Sequence, residues 1–313
     1  MPVPHSSDPT FRSYSLDDAK LYAAQRLAYS PVLYEVILNH HEATGGKHDI
    51  VLDCGCGPGR ATVDLAHSFD RAIGVDPALA MISVARERGG KTRSGKEIEY
   101  VVSAAEDLSN IEIEGLEPES VDLLTAATAA HWFDMTKFWS EAAKVVRPGG
   151  TVALWSCSSS FCRMFPHPST PNAGAVREAL LAVEEMMLAE YRLPGNDMVM
   201  TMYDDLPLPW DVSPPVTSFP QAKYVKLEYD RDGVLSNGKS FFNGSQTYSL
   251  ADIENGGGTA SMVTRWGKAN PELVGTDEDV MYVFAKEIGT ALGGQDWLET
   301  GSETAILLFK KGL

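Results

Sequence analysis

Residues 49 to 60 read DIVLDCGCGPGR, a short apolar run that ends in Asp53 and passes into Gly55, Gly57 and Gly59, spaced two apart. Glycine lets backbone come close to a ligand because no Cβ intervenes, and it supplies the positive φ angles of a tight turn. A second apolar run, RAIGVD (71–76), ends in Asp76, which is placed to accept hydrogen bonds from ribose hydroxyls as acidic residues after second strands do. The chemistry implied is the holding of a ribose-bearing cofactor. Two versions of it fail on counting. A phosphate-binding loop needs G-x-x-x-x-G-K-[ST], and no such Lys-Ser or Lys-Thr follows. A dinucleotide fingerprint starting at Gly55 needs a third glycine at position 60, where Arg60 stands, which argues against NAD and FAD.

These residues need a scaffold, and apolar runs of strand length alternate with helical patterns from residue 49 to 157, the signature of repeated βα units and a parallel sheet. Strands are expected at 49–54, 71–76, 98–103, 120–127 and 150–157, with helices at 60–69, 78–88 and 135–146. The last helix has Asp134 as its N-cap and Pro148-Gly149-Gly150 as its stop. Residues 17–41 read as two short helices with a bend at Pro31. Later, 175–191 and 277–292 are helical, 203–221 is proline-rich and extended, and 223–229 and 303–310 are strands. The fold class is α/β, a doubly wound, mostly parallel sheet of seven strands with N-terminal helices and a late helical lobe. The expected division is a cap at 1–45, a cofactor-binding core at 46–157, and a lid with the last strands at 158–313.

With Asp53, Gly55, Gly57 and Asp76 in that order, the chain resembles the class I S-adenosylmethionine-dependent methyltransferases, whose first motif is a strand ending [DE]-x-G-x-G-x-G. Later stretches follow in the family's order: SAAEDL (103–108), TAATAAHWFD (125–134) and VRPGGTVALW (146–155). The resemblance implies S-adenosylmethionine as cofactor and a Rossmann-like fold. It places Asp53, Gly55 and Gly57 at the methionyl end, Asp76 at the ribose and Met81 on the adenine, and adds Cys56, Pro77, Ala105, Glu106, Asp107 and Ala126 to the cofactor-binding residues. Asp107 is the candidate acceptor for the adenine amino group. A ribose–amino-acid conjugate bearing a sulfonium needs no phosphate nest.

HWFD (131–134) is similar to the fungal trans-aconitate methyltransferases and their relatives. Of that group's Tyr-x3-Arg-Pro-x-Tyr-Pro pattern, Tyr22, Arg26 and Tyr29 match, while Leu27 and Ser30 replace the prolines. TYS (247–249) and TRWGKANPE (264–272) resemble its acceptor-side pattern, with ENGGGTA (254–260) between them. Residues 158–245 match no pattern of the group. The narrower resemblance implies carboxyl O-methylation of an organic acid such as trans-aconitate. A carboxylate is already ionised near neutral pH and needs no base. A phenol, hydroxyl or amine acceptor would use one, and His131 is the first candidate. The alternative for His131 is a ring packed beside Trp132 and bonded to backbone. A non-methylating cofactor-binding scaffold or cyclase is the third functional reading.

Tyr22 and Arg26 are expected to close over the cofactor, the guanidinium facing the methionyl carboxylate. Trp132 and Tyr22 join His131 as catalytic-site candidates. Trp132, Trp155 and Trp266 are candidate acceptor walls, and Arg163, Arg192 and Arg265 are candidate cations for an acidic acceptor.

Composition narrows the setting. With 26 basic against 43 acidic residues the net charge is −17, which argues against nucleic-acid or anionic-membrane partners and leaves a small-molecule acceptor. No apolar run has signal-peptide or membrane-spanning length, so cytoplasm is expected. Cys54, Cys56, Cys157 and Cys162 are too few for a disulfide scaffold and poorly spaced for zinc, so no metal is expected.

Overall fold

Five apolar runs of the first half pair side by side and parallel: β1 (Ile50–Cys54), β2 (Arg71–Asp76), β3 (Glu99–Val102), β4 (Val121–Ala127) and β5 (Val146–Cys157). The chain is seen here in a computed structural model that describes residues 9–26, 28–157 and 164–313. Near-continuous apolar strands of this kind are buried on both faces, and the helices between them supply the cover. Ahead of the sheet lie α1 (Pro9–Arg12), α2 (Leu16–Gln25) and α3 (Pro31–Ala43), and along it α4 (Arg60–Ala66), α5 (Leu79–Arg88) and α6 (Met135–Val145). Asp134 caps α6 by accepting the Lys137 N–H. The two short helices expected on either side of the break are α2 and α3, and Pro31 is the first residue of α3, with Ser30 as N-cap, a place where its missing N–H costs nothing.

Two late strands complete the sheet. They are β7 (Val225–Tyr229) and β10 (Thr304–Lys310), while β6 (Phe165–Pro166) before them and β8 (Gln246–Ser249) and β9 (Trp297–Gly301) between them form a separate three-stranded sheet. The large sheet runs β3-β2-β1-β4-β5-β10-β7, with β10 antiparallel to both neighbours. This is the seven-stranded Rossmann-like methyltransferase fold. The boundary after α6 differs from expectation: β5 begins at Val146, and Pro148-Gly149-Gly150 forms a bulge where the register to β4 shifts. The chain thus turns within the strand.

The late helices α7 (Ala173–Val183), α8 (Pro194–Met200), α9 (Leu250–Gly256), α10 (Ser261–Ala269) and α11 (Val280–Leu292) stand beside the small sheet. Val176, Leu180, Trp266, Phe284 and Ile288 fill a core of their own there. The helix expected across 175–191 leaves α geometry at Glu184 and continues as a π turn to Leu188 and a 3-10 turn to Tyr191. The carboxyl ends of the parallel strands face this lobe, the edge at which such sheets bind ligands.

Candidate active site

At the end of β1 the chain turns three times through left-handed backbone, with φ of +65° at Gly55, +52° at Gly57 and +78° at Gly59. The three glycines serve different neighbours. A Cβ on Gly55 would lie 2.7 Å from the Cβ of Ala129, and one on Gly59 would lie 2.6 Å from the Tyr100 hydroxyl, so both clearances are used by the protein itself. A Cβ on Gly57 would meet nothing within 4 Å. Gly57 is therefore the point where backbone lies open to a ligand; Gly55, expected to do the same, packs against the 129–133 turn.

Asp76 ends β2 beside this opening. Its Oδ2 accepts the Gly57 N–H at 3.0 Å and its Oδ1 the Ala78 N–H at 2.8 Å. Each oxygen keeps a second lone pair, enough for two ribose hydroxyls. Burial pushes its carboxyl up to about 6, against the lowering effect of the two backbone donors.

Asp53 is placed otherwise than the motif implied. It is fully buried, its Oδ2 accepting from the Thr62 hydroxyl at 2.6 Å and its Oδ1 from the Thr125 hydroxyl at 2.9 Å. It clamps β1 to α4 and β4 beneath the loop and does not line the cavity; burial pushes it up to about 6.

The cavity above measures about 260 Å3. Tyr22, Arg26, Cys56, Gly57, Asp76, Pro77, Met81, Ala105, Glu106, His131 and Trp132 all line it, together with Gly55. Arg26 lies over the Tyr22 ring, 4.7 Å from its centroid, and donates to the Thr259 carbonyl at 2.8 Å. Glu106 accepts the Asp134 N–H at 2.8 Å. Arg60, which stands where a dinucleotide site has its third glycine, donates to the Ala23 carbonyl and ties α4 to α2.

Other expected site residues lie elsewhere. Ala126 is buried in β4, one position before the cavity-lining Ala127, and Asp107 is exposed and bonded to Asn110. Trp155 is fully buried, edge-on to Tyr29 and Tyr34, because β5 lies between β4 and β10 and α3 covers this side chain's face. Trp266 belongs to the core of the late helices. Arg265 binds the Tyr191 carbonyl and Asn196 Oδ1, and Arg192 pairs with buried Glu184. Neither lines the cavity, although Asn196 does. Arg163 and Cys162 lie outside the described residues; Cys54, Cys56 and Cys157 are buried free thiols.

His131 sits on the one-turn helix Ala130–Trp132, its ring 4.6 Å from that of Trp132. Its Nδ1 is 2.9 Å from the Tyr203 hydroxyl. Burial, with a smaller contribution from Arg26, holds the imidazole down at about 3, so it is neutral at physiological pH. The opposite wall comes from Met164, Asn196, Met200, Asn243 and Gln246, positions without a motif, and from Tyr248 of the TYS stretch.

The open backbone at Gly57, the part-used carboxylate of Asp76 and the buried Met81 suit a ribose, its amino-acid arm and a flat base. The fold is that of a class I S-adenosylmethionine-dependent methyltransferase domain, with S-adenosylmethionine as its cofactor. Residues 52–154 match the family described as "Methyltransferase domain". A Dictyostelium discoideum protein named as a "putative methyltransferase" is 36% identical over 156 residues, 50% of this chain and 52% of that protein. A Saccharomyces cerevisiae protein named as a "probable S-adenosylmethionine-dependent methyltransferase" is 34% identical over 134 residues, 43% of each. The chain thus spans about half the length of these curated relatives. Among solved structures, an Anaeromyxobacter dehalogenans protein described as a "putative type II methyltransferase" superposes with a TM-score of 0.59 at 26% identity, covering 92% of this chain and 97% of that one. Among the described residues no helix is long and apolar enough to cross a membrane.

Proposed function

We propose that the whole chain is an S-adenosylmethionine-dependent methyltransferase of small molecules, and that its acceptor atom is a carboxyl oxygen of an organic acid. The observation that carries this reading is that Gly57 and Asp76 share one cavity with His131 and Trp132, so cofactor and acceptor would occupy adjoining halves of a single chamber. When bound, the cofactor supplies an electrophilic methyl on a sulfonium. The protein's task is then alignment and exclusion of water, a proximity effect worth several kcal/mol. Asp76 holds the ribose, Met81 and Ala105 border the base, and Tyr22 and Arg26 cover the methionyl end. In this reading residues 1–45 form the cap, 46–157 the cofactor core, and 158–313 the acceptor wall with the last strands.

The state of His131 supports an acceptor that is already ionised. A ring held at about 3 is a poor base at neutral pH, and among the described residues no other histidine lines the site. This agrees with the likeness to the trans-aconitate group. A second reading, an uncharged hydroxyl or amine acceptor, draws on the neutral character of the wall from Met164 to Ser302, which carries no charged side chain among the described residues.

Transfer from labelled S-adenosylmethionine to a panel of di- and tricarboxylic acids, phenols and amines separates these outcomes. Base-labile ester formation on an acid supports the first. Label on a phenol or amine alone transfers the assignment to the second. Cofactor binding without turnover on any member would sink both in favour of a binding scaffold.

A further inference from the structure

Tyr203 lies in a proline-rich stretch with no motif. It is 2% exposed, follows α8, and with Met202 breaks a rule of backbone sterics: consecutive non-glycine residues at φ +53° and +61°. Left-handed backbone is disfavoured for any residue with a Cβ and persists where the surroundings over-determine it. Here the turn is pinned by the Met202 N–H to the Val199 carbonyl at 3.1 Å and the Tyr203 N–H to the Met198 carbonyl at 2.8 Å. The result of the turn is that the Tyr203 hydroxyl reaches His131 Nδ1.

That contact has a direction. Among the described residues Nδ1 is the one acceptor of the hydroxyl; the other group bearing on its oxygen, the His131 backbone N–H, is a donor. A buried O–H must donate somewhere or lose its hydrogen bond. Donation from Nδ1 to the phenol oxygen would leave the hydroxyl proton with no acceptor; donation from the phenol to Nδ1 satisfies both groups. Burial drives the Tyr203 phenol far above its ordinary range, so the proton stays in place. With Nδ1 acting as acceptor in a neutral ring, the ring proton must sit on Nε2. Nε2 has no protein partner among the described residues, is not one of the buried orphan atoms, and belongs to a side chain that lines the cavity.

We propose that Tyr203 is a positioning residue that fixes His131 as the Nε2–H tautomer, making it a hydrogen-bond donor to the methyl acceptor instead of a proton acceptor. This rests on the reading of the cavity as a methyl-transfer site and sharpens its acceptor class. The ligand that fits is one presenting a hydrogen-bond-accepting oxygen beside the reacting atom, and a carboxylate does so with its two oxygens. One accepts from Nε2–H. The other forms the new O–C bond with the methyl as the C–S bond breaks, its electron pair passing to sulfur. The products are an ester and a thioether, and no proton changes hands.

The test combines a spectrum with kinetics. Imidazole 15N spectra of wild type, with His131 assigned by its loss in His131→Gln, are expected to show a protonated Nε2 and an unprotonated Nδ1. Tyr203→Phe is expected to mix the tautomers and to raise the acceptor KM by about the reciprocal of the fraction still protonated on Nε2, roughly twofold for an even mixture, with cofactor affinity unchanged. His131→Gln, whose amide can place an N–H near the Nε2 position, should retain more activity than His131→Leu. An Nδ1–H tautomer in wild type overturns the proposal even if Tyr203→Phe fails to fold, and so does a folded Tyr203→Phe with wild-type KM. Because the spectrum needs no turnover, failure of the tautomer assignment and failure of the methyl-transfer reading are seen separately.

Discussion

The Gly57 N–H donates to Asp76 Oδ2 at 3.0 Å, so the loop after β1 and the end of β2 are held as one surface. The same carboxylate is thus both a strut of the loop and the proposed ribose ligand. Asp76→Asn retains the shape but replaces one acceptor oxygen with a donor, leaving an N–H of Gly57 or Ala78 opposed. Calorimetry is expected to show S-adenosylmethionine binding weakened by about 2 kcal/mol, roughly thirtyfold in Kd. Unchanged affinity would remove Asp76 from the site.

The pH dependence of binding follows from the same group. The Asp76 carboxyl is raised to about 6, and the ribose hydroxyls need its ionised form, so affinity should rise between pH 5 and 7 with release of a proton. Folding has the opposite sign. Asp53 and Asp76 both titrate near 6 in the folded chain against about 3.9 unfolded. The folded state therefore binds more protons between these values, and the contribution of both groups to stability falls as pH rises from about 4 through about 6. Titrations in buffers of different ionisation enthalpy check the first effect, and thermal melts of the cofactor-free protein check the second. In Asp76→Asn the first should flatten, and the second should shrink to the part that Asp53 supplies.

Gly55 and Gly57 separate folding from binding. Alanine at Gly55 combines a left-handed φ with a contact of 2.7 Å to Ala129. It should lower stability by about 2 to 4 kcal/mol. Alanine at Gly57 carries a left-handed penalty of about 1 to 2 kcal/mol, yet its methyl enters open space, so the larger effect should fall on cofactor affinity. Denaturant melts and calorimetry on the two variants should rank them oppositely.

The legible part of this site was the part governed by local rules. A strand ending in an acid, a glycine turn and a helix start can be read from neighbouring residues, and Gly57, Asp76 and Met81, which such rules mark, do line the cavity. Asp53 fits the same motif, but its role depends on Thr62 and Thr125, and Thr125 lies 72 positions away across the sheet. Trp155 sits in a strand buried on both faces, where alternation gives no sign of which side holds the ligand. Tyr203 depends on a backbone turn formed by Met202 and itself, residue types that do not advertise positive φ. Asn243 and Gln246 come from a stretch without periodicity, so nothing local marked them as cavity wall.

The acceptor side can be disturbed without touching the cofactor. Gly195, near the start of α8, packs so tightly on the 131–132 turn that a Cβ would lie 2.5 Å from Cζ3 of Trp132 and 2.8 Å from the His131 carbonyl oxygen. The backbone oxygen cannot step aside as a side-chain tip can, so Gly195→Ala must push α8 outward. That movement carries Asn196 and Met200, which line the cavity, and loosens the turn that brings Tyr203 to His131. Overpacking of this kind costs about 1 to 3 kcal/mol of stability. The kinetic signature should be selective: an acceptor KM raised at least about tenfold, with cofactor Kd within about twofold of wild type, since Gly57 and Asp76 lie on the other wall. Steady-state assays with each substrate varied in turn supply the measurement. An equal loss of affinity for both would mean that α8 shapes the whole chamber, and the separation into cofactor and acceptor walls would have to be abandoned.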